Sequence, residues 1–255
     1  MIVGVQLYTV RNYCQTLADF ADTLARVADM GYTTVQVSGT CDYPADWLAE
    51  QLRKNGLRCV LTHIELPEIA EQTDAQAAAH KVFGCPRIGI GYMPPEFRGS
   101  LPTVERFCNI VAPAAKRLRT LGVYLMYHNH AFEYERTPDG RTYMEYLSDR
   151  FASEELGFTL DTYWVQYGGF DPAAEIRRLS GRVPCVHFKD MEILPDGERR
   201  YAPVGSGILD FDAILAALEN SGCEHILVEQ DECFDEDPFA CLQKSLDYLH
   251  SLGLR

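Results

Sequence analysis

Two histidines and two glutamates are concentrated in the segment YHNHAFEYE (127–135), which follows a short apolar run. His128 and His130 are two residues apart, so on a strand their side chains would point to the same side. Glu133 follows three residues after the second histidine. A neutral imidazole can act as a general base near pH 7, and imidazoles with carboxylates can also hold a divalent metal ion. The segment therefore predicts acid–base chemistry, metal binding or both where a strand ends.

Other apolar runs also end in coordinating or titratable residues, namely His63, Asp161, His187 with Lys189, and Glu229. Each has an ordinary structural explanation when taken alone, since Asp161 could cap a helix and Glu229 could pair with Lys189. Taken together, buried charges without partners at several strand ends would be costly, and a shared cation removes that cost. A mixed set of oxygen and nitrogen ligands suits Mn²⁺, Mg²⁺, Co²⁺ or Zn²⁺. We therefore predict one divalent metal ion as cofactor.

The elements that must position these residues are eight short apolar runs rich in β-branched residues. They lie at 2–10, 33–39, 58–64, 87–92, 122–128, 157–163, 184–190 and 225–231. Segments of helical periodicity separate most of them, as at 17–31 and 104–122. Strands buried on both faces and joined by helices indicate a parallel sheet, and eight such units predict an α/β fold, a single (β/α)8 TIM barrel over residues 1–255. An open doubly wound sheet is the alternative, but no G-x-G-x-x-G follows the first run.

The overall composition excludes several classes of partner. The chain carries 23 basic against 37 acidic residues, a formal net charge of −14, so it lacks the basic footprint of a nucleic-acid-binding protein. No segment approaches the roughly 20 apolar residues that span a bilayer. The nine cysteines are scattered without a C-x-x-C pair, and MIVGVQLYTV has no basic region, which predicts a cytoplasmic protein. A homo-oligomer is compatible with this composition.

The chain resembles the xylose-isomerase-like TIM barrels, the sugar phosphate isomerase/epimerase family, nearly from end to end. The similar segments are GVQLYTVR (4–11), YHNHAFEYE, LDTYWVQYGG (160–169), VHFKDM (186–191) and PVGSGILDF (203–211). The resemblance implies one divalent ion held by Asp161, His187 and Glu229. The family's fourth ligand is a glutamate of the fifth strand, a position that His128 occupies here. Either His128 binds the ion or Glu133 reaches back from the loop.

We expect Glu133 to be the fourth ligand, because three carboxylates and one histidine restore the family's usual charge. His128 and His130 are then the candidate acid–base groups, with Lys189 beside them. Four further residues are candidates for substrate contacts, including two aromatic side chains that could stack on a sugar ring: Gln6, Tyr8, His63 and Trp164.

The resemblance implies an isomerase or epimerase that acts on a small sugar or polyol by proton abstraction next to a carbonyl. A lyase of the same family is the alternative, either a keto-inositol dehydratase or an enzyme that eliminates the leaving group of a 3-keto glycoside. A non-catalytic sugar-binding barrel is a further alternative, whereas a DNA-repair endonuclease of the same fold disagrees with the acidic composition. No cluster of basic residues marks a phosphate site, so the sequence leaves phosphorylated and unphosphorylated substrates open.

Overall fold

A computed structural model describes residues 1–255 and shows a closed barrel of eight parallel strands. These strands are β1 (Ile2–Gln6), β2 (Thr34–Val37), β3 (Arg58–His63), β4 (Arg87–Ile90), β5 (Tyr124–His128), β6 (Leu156–Asp161), β7 (Cys185–Phe188) and β10 (His225–Val228). The barrel closes because β10 pairs with both β7 and β1. Two further strands, β8 (Asp190–Ile193) and β9 (Arg199–Ala202), form an antiparallel hairpin outside the barrel. The predicted (β/α)8 barrel is confirmed.

Helices follow most strands and surround the barrel. They are α1 (Leu17–Met30), α2 (Ala45–Lys54), α3 (Leu66–Glu71), α4 (Thr73–Val82), α5 (Leu101–Thr120), α6 (Tyr143–Arg150), α7 (Thr162–Tyr167), α8 (Pro172–Arg178), α9 (Phe211–Leu218) and α10 (Pro238–Ser251). The apolar face of α5 shows why they pack there, since Phe107, Val111 and Leu118 are buried in the main core, although Ile110 remains 39% exposed. None of the helices combines the length and the apolar character needed to cross a membrane.

A second, smaller apolar cluster fills the inside of the barrel. It consists of Val60, Leu61, Met126, Cys185 and Leu227, all of them buried. Met126 and Cys185 precede His128 and His187 by two residues, so the side chains share the inner face of their strands. The same spacing separates Leu227 from Glu229. We call these five residues the interior plug, and this layer lies directly beneath the polar ends of the strands.

The structure differs from the sequence-based expectation in two places. The first run was expected to continue to residue 10, but β1 ends at Gln6 and residues Leu7–Tyr13 form a 3₁₀ helix. The hairpin of β8 and β9 was not expected at all. Asp190, the first residue of β8, connects the hairpin to the loop that follows β9. Its carboxylate accepts hydrogen bonds from the backbone N–H groups of Met191 (2.8 Å), Gly205 (3.0 Å), Gly207 (2.8 Å) and Leu209 (3.2 Å). The segment PVGSGILDF thus folds around a carboxylate of the chain itself.

Candidate active site

Four buried side chains converge at the carboxyl ends of four adjacent strands. They are His128 at the end of β5, Asp161 at the end of β6, His187 on β7 and Glu229 immediately after β10. One ligand atom from each lies within 4.8 Å of those of the others, and no residue of the four is more than 4% exposed. The parallel register brings them together, since Asp161 is paired with His187 across β6 and β7. We call these residues the four-residue cluster.

The two imidazoles of the cluster are oriented as metal-binding histidines are. The His128 Nδ1 lies 2.8 Å from the carbonyl oxygen of Gly91, which can only accept, so Nδ1 carries a proton and Nε2 faces Asp161 at 3.2 Å. The Nε2 of His187 lies 2.7 Å from Oε1 of Gln36, which leaves the His187 Nδ1 facing Glu229. In each ring, one nitrogen (Nδ1 of His128, Nε2 of His187) is hydrogen-bonded to an amide oxygen. The other, which we call the inner nitrogen, points to a carboxylate of the cluster.

Two atoms of the cluster lack any hydrogen bond although they are buried. The His187 Nδ1 and the Glu229 Oε2 are 2.9 Å apart, but they are not oriented to form a hydrogen bond with each other. Buried polar atoms without partners are rare in proteins and call for an explanation. Two imidazole nitrogens and two carboxylates are suitable donors for a divalent ion such as Zn²⁺ or Mn²⁺. The residues present therefore fit the predicted metal ion.

Glu133, which was expected to provide the fourth ligand, lies outside the cluster, and His128 is the fourth member instead. Its Oε1 accepts a hydrogen bond from the Tyr127 hydroxyl (2.5 Å), and its Oε2 accepts one from the backbone N–H of His130 (2.8 Å). Tyr127 and His128 are consecutive on β5, so their side chains point to opposite faces of the sheet. Glu133 therefore lies on the outer face with Tyr127, where burial raises its pKa to about 7. His128 takes the position expected for Glu133.

Lys189 contacts two members of the cluster and a third carboxylate. Its Nζ lies 3.0 Å from Asp161 Oδ2, 3.0 Å from Glu229 Oε2 and 2.9 Å from Asp231 Oδ1. Burial by itself would lower the pKa of Lys189, but these carboxylates outweigh it and hold the pKa well above its ordinary value. The side chain is thus a buried ammonium ion. Asp231 was not predicted, although its position two residues after Glu229 in VEQD was a usable signal.

A cavity of about 300 Å³ opens above the cluster on the side of β1 to β4. Of the predicted residues, it is lined by Gln6, Tyr8, His63, His128, His130, Lys189 and Glu229. Asp161 and His187 are completely buried, and Trp164 packs on His130 with ring centroids 5.3 Å apart without lining the cavity. The lining also includes four polar or aromatic residues that sequence reasoning missed: Ser38, Glu65, Tyr92 and Asp231.

His63 and His130 present unpartnered nitrogens, the Nε2 and the Nδ1 respectively. Burial, with the neighbouring His128 and Lys189, lowers the pKa of His130 to about 2, so its ring is uncharged. The His63 ring fits its position because β4 and the residue after it offer glycines. A Cβ on Gly89 would lie 2.8 Å from the His63 Cδ2, and one on Gly91 would lie 2.9 Å from its Nδ1. The alternate glycines of RIGIGY were the sequence signal for this arrangement.

Comparisons with known proteins agree with this architecture. Inosose dehydratase of Lacticaseibacillus casei is 24% identical over 162 residues, 57% of this chain, and the match spans only 53% of the dehydratase. The crystal structure of a sugar phosphate isomerase/epimerase from Parabacteroides distasonis superimposes with a TM-score of 0.83 at 21% identity, over 98% of this chain and 93% of that one. The zinc-bound IOLI protein superimposes with a TM-score of 0.75 at 16% identity, over 99% and 98% of the two chains.

The two structural likenesses concern the fold, because both identities are below 25%. The family assignment comes from the sequence profile described as xylose isomerase-like TIM barrel, which matches residues 24–252. This range contains all four strand ends of the cluster and nearly the whole barrel. The chain belongs to the xylose isomerase-like TIM barrel family.

Proposed function

We propose that the protein is a divalent-metal-dependent isomerase or epimerase of a sugar or sugar-like polyol, which abstracts a proton next to a carbonyl group. The observation that carries this proposal is the four-residue cluster at the floor of the cavity, with both inner imidazole nitrogens facing carboxylates. The name of the Parabacteroides relative and the zinc reported for IOLI support the same reading. A cavity of about 300 Å³ is within the range of small-molecule sites.

In this proposal His128, Asp161, His187 and Glu229 hold the ion. When bound, the ion supplies a Lewis acid that polarises a substrate carbonyl or hydroxyl. Because His128 becomes a ligand, the role of general base falls to the Glu229 carboxylate, while the uncharged His130 contributes a hydrogen-bond acceptor. Both line the cavity: Glu229 Oε2 lies 3.0 Å from the Lys189 Nζ, and the buried His130 Nδ1 has no hydrogen-bond partner and can accept a hydrogen bond from a substrate hydroxyl. The Lys189 ammonium also lines the cavity, where it can donate a hydrogen bond to a substrate oxygen.

A lyase of the same family is the second candidate, and one observation favours it. The fifth strand offers His128 rather than a carboxylate, so the cluster contains two carboxylates instead of three. An epimerase needs proton transfer on both faces of the substrate, whereas an elimination needs one base and one acid. Glu229 and the Lys189 ammonium could fill those two roles. The similarity to inosose dehydratase is consistent with this alternative.

Reaction in D₂O tests the proposal and separates the two candidates. Protein reconstituted with Mn²⁺ is incubated with ketoses and with an inosose, and the products are analysed by NMR and mass spectrometry. An isomerase or epimerase incorporates deuterium next to the carbonyl without loss of water, whereas a lyase releases water or the aglycone. Glu229→Gln should abolish the reaction, while Glu232→Gln, an exposed carboxylate on the same loop, should leave it unchanged. Binding of sugars without any deuterium exchange would favour a non-catalytic barrel instead.

A further inference from the structure

The cavity above the cluster offers no free cation to a charged substrate. Four of its lining residues carry charges, namely Glu65, Lys189, Glu229 and Asp231. Lys189 is the single cation among them, and its ammonium already contacts three carboxylate oxygens at 2.9 to 3.0 Å. Glu65 is exposed at the rim, where it adds negative charge. The lining therefore repels an anion more than it attracts one.

Two arginines, Arg11 on the 3₁₀ helix after β1 and Arg98 on the loop before α5, lie close to the cavity but do not line it. The Arg11 Nη1 donates hydrogen bonds to the carbonyl oxygens of Tyr8 (2.9 Å) and Asp231 (2.6 Å). Its guanidinium also lies 4.3 Å from the centre of the Tyr8 ring. Arg98 donates from Nε to the carbonyl oxygen of Met93 (2.6 Å) and stacks on Phe132 at 4.0 Å. Both guanidinium groups are thus held by main-chain oxygens and aromatic rings.

The usual place for a phosphate in this architecture is already filled by the chain. Many (β/α)8 barrels bind phosphate through backbone amides of the loops that follow their last two strands. Here such amides converge on the carboxylate of Asp190, which accepts from Gly205, Gly207 and Leu209 as well as from Met191. Convergent backbone N–H groups form an anion site, and an internal carboxylate occupies this one.

The remaining lining groups suit hydroxyl and carbonyl oxygens. Gln6 and Ser38 are bonded to each other (3.1 Å), and His63 and His130 present nitrogens without partners. With a divalent ion bound, the charges of Asp161 and Glu229 neutralise the ion, and Asp231 balances Lys189. A phosphate or carboxylate on the substrate would then lack a counter-charge in a chain of net charge −14. We infer that the substrate is an uncharged polyhydroxy carbonyl compound without phosphate or carboxylate, an inference that rests on the proposed function.

Matched pairs of sugars test this inference. The Mn²⁺-loaded protein is titrated with D-allulose against D-allulose 6-phosphate, and with L-ribulose against L-ribulose 5-phosphate, with binding and deuterium exchange measured separately. The unphosphorylated member of at least one pair should bind and react at least about 100-fold better, because an uncompensated like charge costs several kcal/mol. Equal or better binding of the phosphorylated members, or binding of no member at millimolar concentration, would overturn the inference. Selective binding without exchange would contradict only the proposed function.

A charge reversal at the rim provides the matched control. Glu65→Lys places a cation at the mouth of the cavity and should improve binding of the phosphorylated sugars about fivefold or more relative to their partners. Glu71→Lys makes the same change of charge on an exposed position of α3 and should leave the ratio unaltered. Equal effects of the two variants would mean that overall charge, rather than the lining of the cavity, determines the preference, which would refute the inference.

Discussion

At the scale of single residues, His128 and Glu133 have separate roles because they lie on opposite sides of β5. His128→Asn should reduce bound Mn²⁺ or Zn²⁺ well below one equivalent, since the variant lacks an inner imidazole nitrogen. Glu133→Gln should retain the metal but lose about 1–3 kcal/mol of unfolding free energy, because it disturbs the buried bonds from Tyr127 and His130. Elemental analysis and urea denaturation measure the two effects. The reverse pattern would return Glu133 to the metal site.

Lys189 leads to a second prediction at this scale, because its ammonium contacts the carboxylates of Asp161 and Glu229, which would also hold the metal ion. Unit charges about 4 Å apart interact by roughly 4 kcal/mol at an effective dielectric constant of 20. Lys189→Met should therefore tighten Mn²⁺ binding at least about 10-fold while it abolishes turnover. Lys244→Met, at an exposed ion pair with Glu236, is the control. Weaker metal binding in Lys189→Met would show that the lysine holds the ligands in place instead of competing with the ion.

Which parts of this site can be predicted from the sequence depends on how far apart the contacting residues lie along the chain. Asp161, His187 and Glu229 were predictable because each ends an apolar run, and parallel strands bring such ends together. The position of Glu133 depends on the alternation of Tyr127 and His128 along β5, which places its partner Tyr127 on the face opposite His128. The bond between His187 and Gln36 joins residues 151 positions apart, so no local pattern could indicate it.

At the scale of elements, the hairpin of β8 and β9 depends on the close approach of Gly207 to Asp190. A Cβ at position 207 would collide with the carbonyl oxygen of Met191 and would lie 2.5 Å from Asp190 Oδ1. Gly207→Ala should therefore destabilise the fold by about 1–3 kcal/mol, because the added methyl group forces the surrounding backbone to shift. Ser206→Ala, at an exposed neighbouring position, should change the unfolding free energy by less than about 0.5 kcal/mol. Urea denaturation of the two variants decides the point, and equal stability would contradict the proposed role of Gly207.

His80 links α4 to β3 and makes the stability of the fold depend on pH. Its Nδ1 donates to the carbonyl oxygen of Gln76 and its Nε2 accepts from the Thr62 hydroxyl, both at 2.7 Å. Burial lowers the pKa of His80 from 6.5 to about 4. Between these values the unfolded chain binds a proton that the folded chain does not, so stability is full above pH 6.5 and falls towards pH 4.

The expected loss from His80 over this range is about 3 kcal/mol. Urea denaturation at several pH values should show a shallower acid dependence in His80→Gln than in the unchanged protein. His225, whose pKa burial also lowers to about 4, should keep part of the slope in both proteins. Identical slopes would mean that the pKa of His80 is the same in the folded and the unfolded chain.

At the scale of the whole molecule, the barrel was predictable from its repeated pattern, whereas the additions to it were not. Eight apolar runs separated by helical segments leave few alternatives for a chain of 255 residues. The hairpin escaped prediction because its short strands, β8 and β9, pair with each other outside the repeat and depend on the buried carboxylate of Asp190. The end of β1 at Gln6 depends similarly on a side chain, since Gln6 accepts a bond from the backbone N–H of Tyr8 (3.3 Å).

The interior plug restricts access to the metal site from below, so the metal ion and the sugar would share one route to the solvent. Met126, Cys185 and Leu227 fill the barrel beneath the cluster and the cavity lies above it, so we expect an ion held there to leave through the cavity that the sugar would fill. A bound sugar would then block dissociation of the metal ion, and the rate of metal exchange with the solvent would report the residence time of the sugar. We expect saturating D-allulose, or whichever sugar binds, to slow the removal of Mn²⁺ by a chelator in stopped-flow measurements. Unchanged removal would reveal a second route out of the barrel.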